Sequence, residues 1–297
     1  MVGAPQGSRR VLVVRVLITG AAGQLGHDCR LACEAAGDDV TALDRASLDV
    51  TDRDAVLGAV HSARPHAVIN CATWTAVDAC ESDPDRAFLT NGLAARWIAE
   101  ACRQTNAHLV HVSTDYVFDG TKAGPYHEWD QPNPCSVYGA SKLAGEREVL
   151  QAGIGATIAR TSWLCGEFGT NMVKTILRFA AERDTLTFVD DQRGHPTFCA
   201  DLAPLLRRLA VDRRPGVHHT TNAGEVSWFE FAQAVVAAAG RNPDMVLACA
   251  TSDLQPPRPA PRPANSVLDN AVLRTSGLGP LRDFRVPLAE LVQKLIA

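Results

Sequence analysis

The chain has 297 residues, of which 46% are hydrophobic, so it can bury a full core and is longer than one minimal domain requires. Its formal net charge of −4 and the lack of a basic block with interleaved aromatic residues argue against a nucleic-acid partner. No apolar run is long enough to cross a bilayer, so we expect no membrane partner. Its 9 cysteines form no Cys-x-x-Cys pair, which indicates reduced thiols and a cytoplasmic protein.

The first ordered segment is predicted to join a strand to a helix through a glycine-rich turn. We expect residues 1–15 to form an arm that is disordered in part, because the first ten carry Gly, Pro and Ser without periodicity. An apolar run from Val16 then ends in Gly-x-x-Gly-x-x-Gly, and a predicted helix over 28–36 follows. Glycines allow the backbone to approach a pyrophosphate, which sits on free N–H groups at the helix N-terminus. The glycines are Gly20, Gly23 and Gly26.

A carboxylate follows at the spacing typical of nucleotide-binding turns. A second strand is predicted over 38–43, and Asp44 at its end can hold a ribose diol. Arg45 comes next and could instead neutralise the 2′-phosphate of NADPH. Because adjacent residues on an extended strand point to opposite faces, we expect only one of the two to face the ribose directly. We therefore predict that NADPH and NADH are both accepted, with NADH no worse than NADPH.

Strands and helices continue to alternate along the chain. Helices are predicted over 51–63 and 85–104, and strands over 66–70, 108–112 and 157–160. This alternation implies an α/β fold with a doubly wound parallel sheet, Rossmann-like, whose ligands lie outside the carboxyl ends of the strands. The pattern then loosens, with helices over 171–182, 201–210, 227–239 and 287–296. We therefore assign 16–160 to a dinucleotide-binding domain and 161–297 to a smaller substrate-binding lobe.

Tyr138 and Lys142 are the candidate catalytic pair. They are four residues apart in a helix-compatible run, so both side chains lie on one helical face. A nearby ammonium favours the phenolate and lowers the pKa of a tyrosine, and such a pair can exchange a proton with a substrate oxygen. The spacing alone also fits a half-buried tyrosine beside a solvated lysine. Its place after the glycine motif is the stronger indication.

The two motifs together resemble the extended short-chain dehydrogenase/reductases, and five further stretches resemble the dTDP-4-dehydrorhamnose reductase family within them. These are Thr75 to Asp78 with Glu81, Ser113 to Gly120, Arg160 to Trp163, Asp191 to Thr197 and Arg262 to Ser266. The resemblance implies hydride transfer from NADPH or NADH to the C4 ketone of a nucleotide sugar, dTDP-4-dehydro-L-rhamnose, to give dTDP-L-rhamnose.

The resemblance also implies roles for individual residues. Tyr138 is the expected proton donor to the ketone, Lys142 the contact to the nicotinamide ribose, and Thr114 a hydroxyl that bonds the ketone or tunes the tyrosine. Asp115 and Trp163 are expected to contact the substrate. The other implied cofactor contacts are Gly23, Gln24 and Leu25 at the pyrophosphate, Asp44 at the adenosine ribose, Asp49 and Val50 at the adenine, and Thr73, Trp74 and Thr75 along the cofactor.

Plainer interpretations stay open for several of these positions. Thr114 could merely cap a strand end, and Trp163 could be ordinary core. Asn91 could organise water behind Lys142, which we favour, or be a helix-surface amide. Some family members dimerise around a divalent metal held by glutamates. No convincing set of glutamates matches here, so we predict no metal site and leave a homodimer open.

Two other functions remain open on the sequence. A nucleotide-sugar epimerase or dehydratase shares the glycines and the Tyr-x-x-x-Lys pair, although a dehydratase needs an extra acid/base pair that Asp115 and Tyr116 match only in part. A non-catalytic regulatory subunit of the methionine adenosyltransferase type also resembles this family and can keep the tyrosine and lysine. Net consumption of reduced nicotinamide distinguishes a reductase from both.

Overall fold

The fold is built from short strands and longer helices that alternate along most of the chain. A computed structural model describes residues 13–297, so most of the predicted arm over 1–15 lies outside the described residues. The strands are β1 (Arg15–Thr19), β2 (Asp39–Leu43), β3 (Ala67–Asn70), β4 (His108–Thr114), β5 (Thr157–Thr161), β6 (Leu164–Cys165), β7 (Leu186–Val189), β8 (Arg193–Gly194), β9 (Thr197–Phe198), β10 (Gly216–His219), β11 (Val226–Ser227) and β12 (Val246–Cys249). The α-helices are α1 (Gln24–Ala35), α2 (Arg53–Ala63), α3 (Val77–Ser82), α4 (Pro84–Phe88), α5 (Ala94–Thr105), α6 (Val137–Gln151), α7 (Met172–Glu182), α8 (Cys199–Val211), α9 (Trp228–Ala238), α10 (Ala271–Thr275) and α11 (Arg285–Ile296).

A six-stranded parallel sheet forms the centre, with strand order β10-β5-β4-β3-β1-β2. Alternate residues of a strand point to opposite faces, and β1 shows the consequence. Val16 and Ile18 pack with α1 and α8 on one face, while Leu17 packs with α2 and α5 on the other. Helices therefore cover both faces, and the predicted doubly wound parallel sheet is confirmed.

The sheet does not follow the boundary predicted at residue 160. Its sixth strand, β10, comes from the segment assigned to the second lobe and pairs in parallel with β5. Helix α8 comes from the same segment, and its Leu202 and Leu206 are fully buried in one core with Leu25 of α1. The C-terminal half thus completes the sheet layer. Its remaining helices α7, α9 and α11 enclose a second core around Phe231 and Phe284.

Two predicted helices have different bounds in the structure. The helix expected over 28–36 begins at Gln24, because the glycine turn leads straight into it from Gly23. The helix expected over 85–104 is interrupted: α4 ends at Phe88, a π-helical turn covers Leu89–Leu93, and α5 follows. Such turns occur often at functional sites. No helix within 13–297 has both the length and the apolar character that a membrane span requires.

Candidate active site

A cavity of about 580 Å³ opens where β1, β2 and β3 end, at the carboxyl edge of the sheet. It brings together all but two of the predicted cofactor-binding residues. Those that line it are Gly20, Gly23, Gln24, Leu25, Gly26, Asp44, Asp49, Val50, Thr73, Trp74 and Thr75. The two that do not line it are Tyr138 and Lys142. A volume of this size suits a dinucleotide.

The glycine turn is packed too closely for any side chain at two positions. Gly20 has φ of +67°, and a Cβ there would lie 2.7 Å from the backbone nitrogen of Ala72. A Cβ on Gly26 would collide with the carbonyl oxygen of Gly20. No side chain caps the N-terminus of α1, and its first turn carries no acidic residue. Free N–H groups and the helix dipole therefore face the cavity, an arrangement that suits a pyrophosphate.

Asp44 and Arg45 both line the cavity, and the expectation that only one of them faces the ribose directly stays a prediction. The expectation assumed extended backbone, but β2 ends at Leu43 and a turn begins at Arg45. The turn is held by Asp44 itself, whose Oδ1 accepts hydrogen bonds from the backbone nitrogens of Ala46 and Ser47 at 3.1 and 3.0 Å. The Ser47 hydroxyl also donates to it at 2.8 Å and holds the pKa of Asp44 below its usual value.

Helix α6 carries the candidate catalytic pair. Ser136 caps it by accepting a bond from the nitrogen of Gly139, and Glu81 accepts another from the nitrogen of Val137 at 2.8 Å. Two independent contacts thus fix the turn that bears Tyr138, and the second explains why Glu81 belongs to the motif. A Cβ on Gly139 would collide with the carbonyl of Tyr116, so the glycine lets α6 lie close to that loop.

Tyr138 and Lys142 are buried next to residues that line the cavity, and the apolar cluster that contains Tyr138 packs against Trp74. Tyr138 is 8% exposed and Lys142 is 2% exposed. The Lys142 ammonium donates to the carbonyl oxygen of Val112 at 2.7 Å, and Val112 itself lines the cavity. The ammonium therefore adjoins the cavity wall, and its expected contact with a nicotinamide ribose stays a prediction.

Burial favours the uncharged form of each member of this pair and shifts its pKa accordingly. Burial raises the pKa of the Tyr138 phenol well above its usual value, and the nearby Thr114 hydroxyl partly offsets this. We expected a lysine ammonium to lower it, but the lowering contact is Thr114. Burial lowers the pKa of Lys142 to about 8, while the Glu146 carboxylate works in the opposite direction. Tyr138 is therefore a protonated phenol at neutral pH, as a proton donor must be.

Thr114 contacts Tyr138 and also caps the turn after β4, while its expected bond to the ketone stays a prediction. Its hydroxyl lies beside Tyr138, and it also accepts a bond from the nitrogen of Tyr116 at 3.2 Å, capping the short 3-10 turn Asp115–Val117. The same hydroxyl donates to the carboxylate of Asp115 at 2.9 Å. Asp115 is 2% exposed, and burial raises its pKa to about 6. A buried carboxyl group that takes up a proton more readily than an ordinary aspartate thus lies near the tyrosine.

Asn91 is 1% exposed and bonds to four protein groups, so neither the water bridge that we favoured nor a helix-surface amide describes it. Its Oδ1 accepts bonds from the Thr73 hydroxyl at 3.0 Å and the Trp74 nitrogen at 2.8 Å. Its Nδ2 donates to the Trp74 carbonyl at 3.2 Å and to the Ser141 hydroxyl at 3.0 Å. An amide has two acceptor sites and two donors, so all four are used. Asn91 therefore fastens the cavity segment at Thr73–Trp74 to helix α6.

Trp163 lies in the second lobe and does not line the cavity. Its ring stacks on that of Trp228 with centroids 3.7 Å apart. Gly194 fits beneath it, since a Cβ there would come within 2.8 Å of the Trp163 ring. The side chain is half-buried, with backbone φ of +44°. The expected contact with substrate therefore stays a prediction.

The second lobe contributes cavity walls that the sequence did not reveal. Leu164, Gly169 and Thr170 face the glycine turn. Gln24 connects the two sides, because its amide donates to the Leu164 carbonyl at 3.3 Å and accepts from Asn171 at 3.4 Å. Asn171 also caps α7. The one sequence signal was the spacing Gly166-x-x-Gly169, too common to interpret alone. Arg86, Leu89 and Thr90 complete the wall on the side of α4.

Two distant motif stretches meet near α6. The guanidinium of Arg262 bonds to both carboxylate oxygens of Asp78, at 2.6 and 2.8 Å. Asp78 also accepts a bond from the backbone nitrogen of Ala260 at 3.1 Å. The C-terminal stretch is thereby fastened to the segment that follows β3.

Within 13–297 no group of three or more His, Cys, Asp or Glu side chains is placed to hold a metal ion, and the metal-free site stays a prediction.

Known proteins are similar to this chain over almost its whole length. A dTDP-4-dehydrorhamnose reductase of Streptomyces griseus is 44% identical over 283 residues, covering 93% of this chain and 92% of the relative. A probable dTDP-4,6-dihydroxy-2-methyloxan-3-one 4-ketoreductase of Streptomyces antibioticus is also 44% identical, over 96% of each chain. The crystal structure of dTDP-4-dehydrorhamnose reductase from Bacillus anthracis in complex with NADP is similar with a TM-score of 0.89, at 36% identity, covering 96% of this chain and 99% of that one.

The protein is a nicotinamide-dependent oxidoreductase of the short-chain dehydrogenase/reductase type. The features that define this class here are the parallel sheet, the glycine turn and the buried pair of tyrosine and lysine. The family model described as RmlD substrate binding domain matches residues 14–297, and the chain belongs to that family. The resemblance to the dTDP-4-dehydrorhamnose reductases predicted from the sequence is therefore confirmed.

Proposed function

We propose that this protein reduces the C4 ketone of dTDP-4-dehydro-L-rhamnose to dTDP-L-rhamnose, using NADPH or NADH and with Tyr138 as the proton donor. The observation that supports the proposal is a buried phenol and a buried amine on one face of α6, next to Trp74 and Val112 in the wall of a dinucleotide-sized cavity. The substrate is taken from the names of relatives that are 44% identical.

The residues of this chain bind, orient and supply a proton. When bound, the reduced nicotinamide supplies the hydride. The glycine turn and the N-terminus of α1 hold the pyrophosphate, and Lys142 holds the ribose while keeping its bond to Val112. As negative charge develops on the ketone oxygen, the Tyr138 phenol donates its proton, so that a free alkoxide does not accumulate. Thr114 orients the phenol for that transfer.

A second candidate is the same reaction on a different dTDP-4-keto sugar. The observation that favours it is the relative from Streptomyces antibioticus, which has the same identity to this chain and is named for another keto sugar. The dinucleotide cavity and α6 would be unchanged for such a substrate. Discrimination would lie in the second lobe, where Trp163 and Trp228 stack.

Consumption of reduced nicotinamide, followed by absorbance, tests both candidates. The purified protein is mixed with NADPH and either dTDP-4-dehydro-L-rhamnose or dTDP-4,6-dihydroxy-2-methyloxan-3-one, the keto sugar for which the Streptomyces antibioticus relative is named. We expect stoichiometric consumption with the first sugar and a higher kcat/KM for it than for the second. A higher value for the second sugar would favour the second candidate. An epimerase or dehydratase would show turnover without net consumption, and a regulatory subunit would show neither.

A further inference from the structure

A buried ion pair lies one helical turn beyond Lys142. Glu146 of α6 is 1% exposed and Arg160 of β5 is 3% exposed. The guanidinium of Arg160 binds both carboxylate oxygens, with Nε to Oε1 at 2.9 Å and Nη2 to Oε2 at 2.6 Å. The hydroxyl of Ser113 donates to Oε1 at 2.5 Å. No step in the reaction proposed above uses this cluster.

Lys142 lies in a nearly dry environment in which few groups carry charge. Residues four apart on a helix are neighbours, so Glu146 lies on the same face of α6, one turn after Lys142. From the strands, His111 of β4 and Cys71 after β3 face the ammonium. Burial holds the pKa of His111 well below its usual value, so His111 is neutral. Tyr138, on the same helix, is also uncharged at neutral pH.

We propose that Glu146 is a positioning residue that keeps the buried Lys142 side chain in its ammonium form and bonded to the Val112 carbonyl. An ammonium transferred out of water tends to lose its proton unless an anion lies close by. Glu146 is the carboxylate on the same helical face, and Arg160 and Ser113 hold it in place. The importance of Glu146 for the reaction rests on the proposed role of Lys142 in holding the ribose.

Glu146 and Arg160 act on the pKa of Lys142 in opposite directions. Burial lowers the pKa of Lys142 to about 8, and the Glu146 carboxylate raises it against that trend. Removing the carboxylate should therefore let Lys142 lose its proton below pH 8. Arg160 acts in the opposite direction, because its positive charge neutralises part of the field of Glu146. Removing only Arg160 should leave the carboxylate free to stabilise the ammonium more strongly.

The test is a direct titration of Lys142 by NMR. The chain has four lysines, Lys122, Lys142, Lys174 and Lys294, so ¹³Cε-lysine labelling gives a spectrum that Lys142→Arg is enough to assign. We expect a midpoint near 8 for Lys142 in the wild type. Glu146→Gln should lower that midpoint by about one to three pH units, and Arg160→Met should raise it. This measurement requires neither substrate nor turnover.

Control variants separate this role from a merely structural one. Glu148→Gln makes the same change on the same helix, at a carboxylate whose partner Arg96 is at the surface, and should leave the midpoint unchanged. Glu146→Asp keeps the charge and should restore most of the wild-type midpoint. If Glu146→Gln does not fold because Arg160 is left unpaired, the double variant with Arg160→Met removes both charges and should still lower the midpoint.

Two outcomes overturn the proposal: a Lys142 midpoint that is the same in wild type and double variant, or one that moves in the same direction in Glu146→Gln and Arg160→Met. A second readout is the dissociation constant of NADPH as a function of pH. We expect the dissociation constant to increase with pH in both proteins, and the increase to begin at a lower pH in Glu146→Gln than in the wild type. A shifted NMR midpoint without this change would support the positioning role and count against the proposed contact between Lys142 and the cofactor.

Discussion

At the scale of single residues, the chemistry near Tyr138 is governed by loss of water. A phenol and an ammonium on one helical face would, in water, influence each other mainly through charge. Here both are buried, and burial raises the pKa of Tyr138 while it lowers that of Lys142. The tyrosine is thereby kept as an acid. The ammonium depends on its remaining contacts, the Val112 carbonyl and the carboxylate of Glu146.

Tyr138→Phe should remove the proton donor and leave the cofactor site intact, because Tyr138 does not line the cavity. We expect turnover to fall by about 10²–10⁴-fold, while the dissociation constant of NADPH changes little. Steady-state rates and fluorescence titration with NADPH measure the two quantities. Turnover close to that of the wild type would refute the assignment of the donor.

Asp115→Asn should change stability in a way that depends on pH. Its free energy of unfolding, relative to that of the wild type, should be higher at neutral pH than at acidic pH. Burial raises the pKa of Asp115 from 3.8 to about 6. The ionised carboxylate therefore destabilises the fold, an effect absent below pH 3.8 and complete above pH 6. One pKa unit corresponds to about 1.4 kcal/mol. Across that pH window the variant should therefore gain roughly 3 kcal/mol in free energy of unfolding relative to the wild type.

Urea unfolding of both proteins at several pH values measures the difference. Asp119→Asn is the control with the opposite sign, because the hydrogen bonds from Thr121, Asn133 and Tyr126 hold the pKa of Asp119 below its usual value. That variant should lose stability relative to the wild type as pH rises through the carboxyl range. A pH-independent difference for Asp115→Asn would contradict the prediction.

Asp44→Ala should shift cofactor preference towards NADPH, because it removes a negative charge that repels the 2′-phosphate and leaves Arg45 in the cavity wall. Since Asp44 also holds its turn, Ser47→Ala is the matched control: it removes the hydroxyl bond to Asp44 and keeps the carboxylate. The ratio of kcat/KM for NADPH to that for NADH is measured for all three proteins. An equal shift in both variants would mean that turn geometry, rather than charge, sets the preference.

At the scale of elements, the contact between α6 and the π-helical turn Leu89–Leu93 positions the catalytic face. Asn91 bonds to Ser141 of α6, and its backbone carbonyl lies so close to Gly145 that a Cβ there would collide with it. Gly145→Ala should therefore force the two apart and lower the free energy of unfolding by about 1–3 kcal/mol. It should also lower kcat, since Thr73 and Trp74 are held by the same asparagine.

Gly58→Ala in α2 is the matched control for that substitution. Nothing lies within 4 Å of a Cβ placed on Gly58. An alanine there should stabilise the protein by about 0.5–1 kcal/mol through helix propensity alone. Thermal unfolding and urea titration of both variants are the measurements. Similar changes in stability from the two substitutions would show that helix propensity, and not the contact with Asn91, determines the effect of Gly145→Ala.

At the scale of the whole molecule, the nucleotide-binding half is incomplete without the C-terminal half. A fragment that ends at residue 160 lacks β10 at the edge of the sheet and α8, which covers α1. Leu25 and the neighbouring apolar side chains of α1 would then be exposed. We expect the fragment to show no cooperative thermal transition by circular dichroism, whereas the full chain shows one. A sharp transition in the fragment would show that the first half is an independent domain.

The sequence was informative where a pattern is local. The Gly20 to Gly26 turn, the spacing of Tyr138 and Lys142, and the alternating strands are all local, and the structure places each in the predicted fold. It was uninformative where the answer depends on distant segments. Strand β10 joins β5 across the chain, and four hydrogen bonds from remote partners use the whole amide of Asn91. Desolvation of Tyr138 is likewise a property of packing that spacing cannot reveal.

Gln24 touches the second lobe through Leu164 and Asn171, so the cavity is enclosed by both halves of the chain. A ligand bound there favours only the assembled form, and at 100 times its dissociation constant it adds about 2.7 kcal/mol to the free energy of unfolding. The lifetime of the protein in a cell should therefore follow the supply of its cofactor. Starvation for nicotinamide would lower the amount of enzyme as well as its rate.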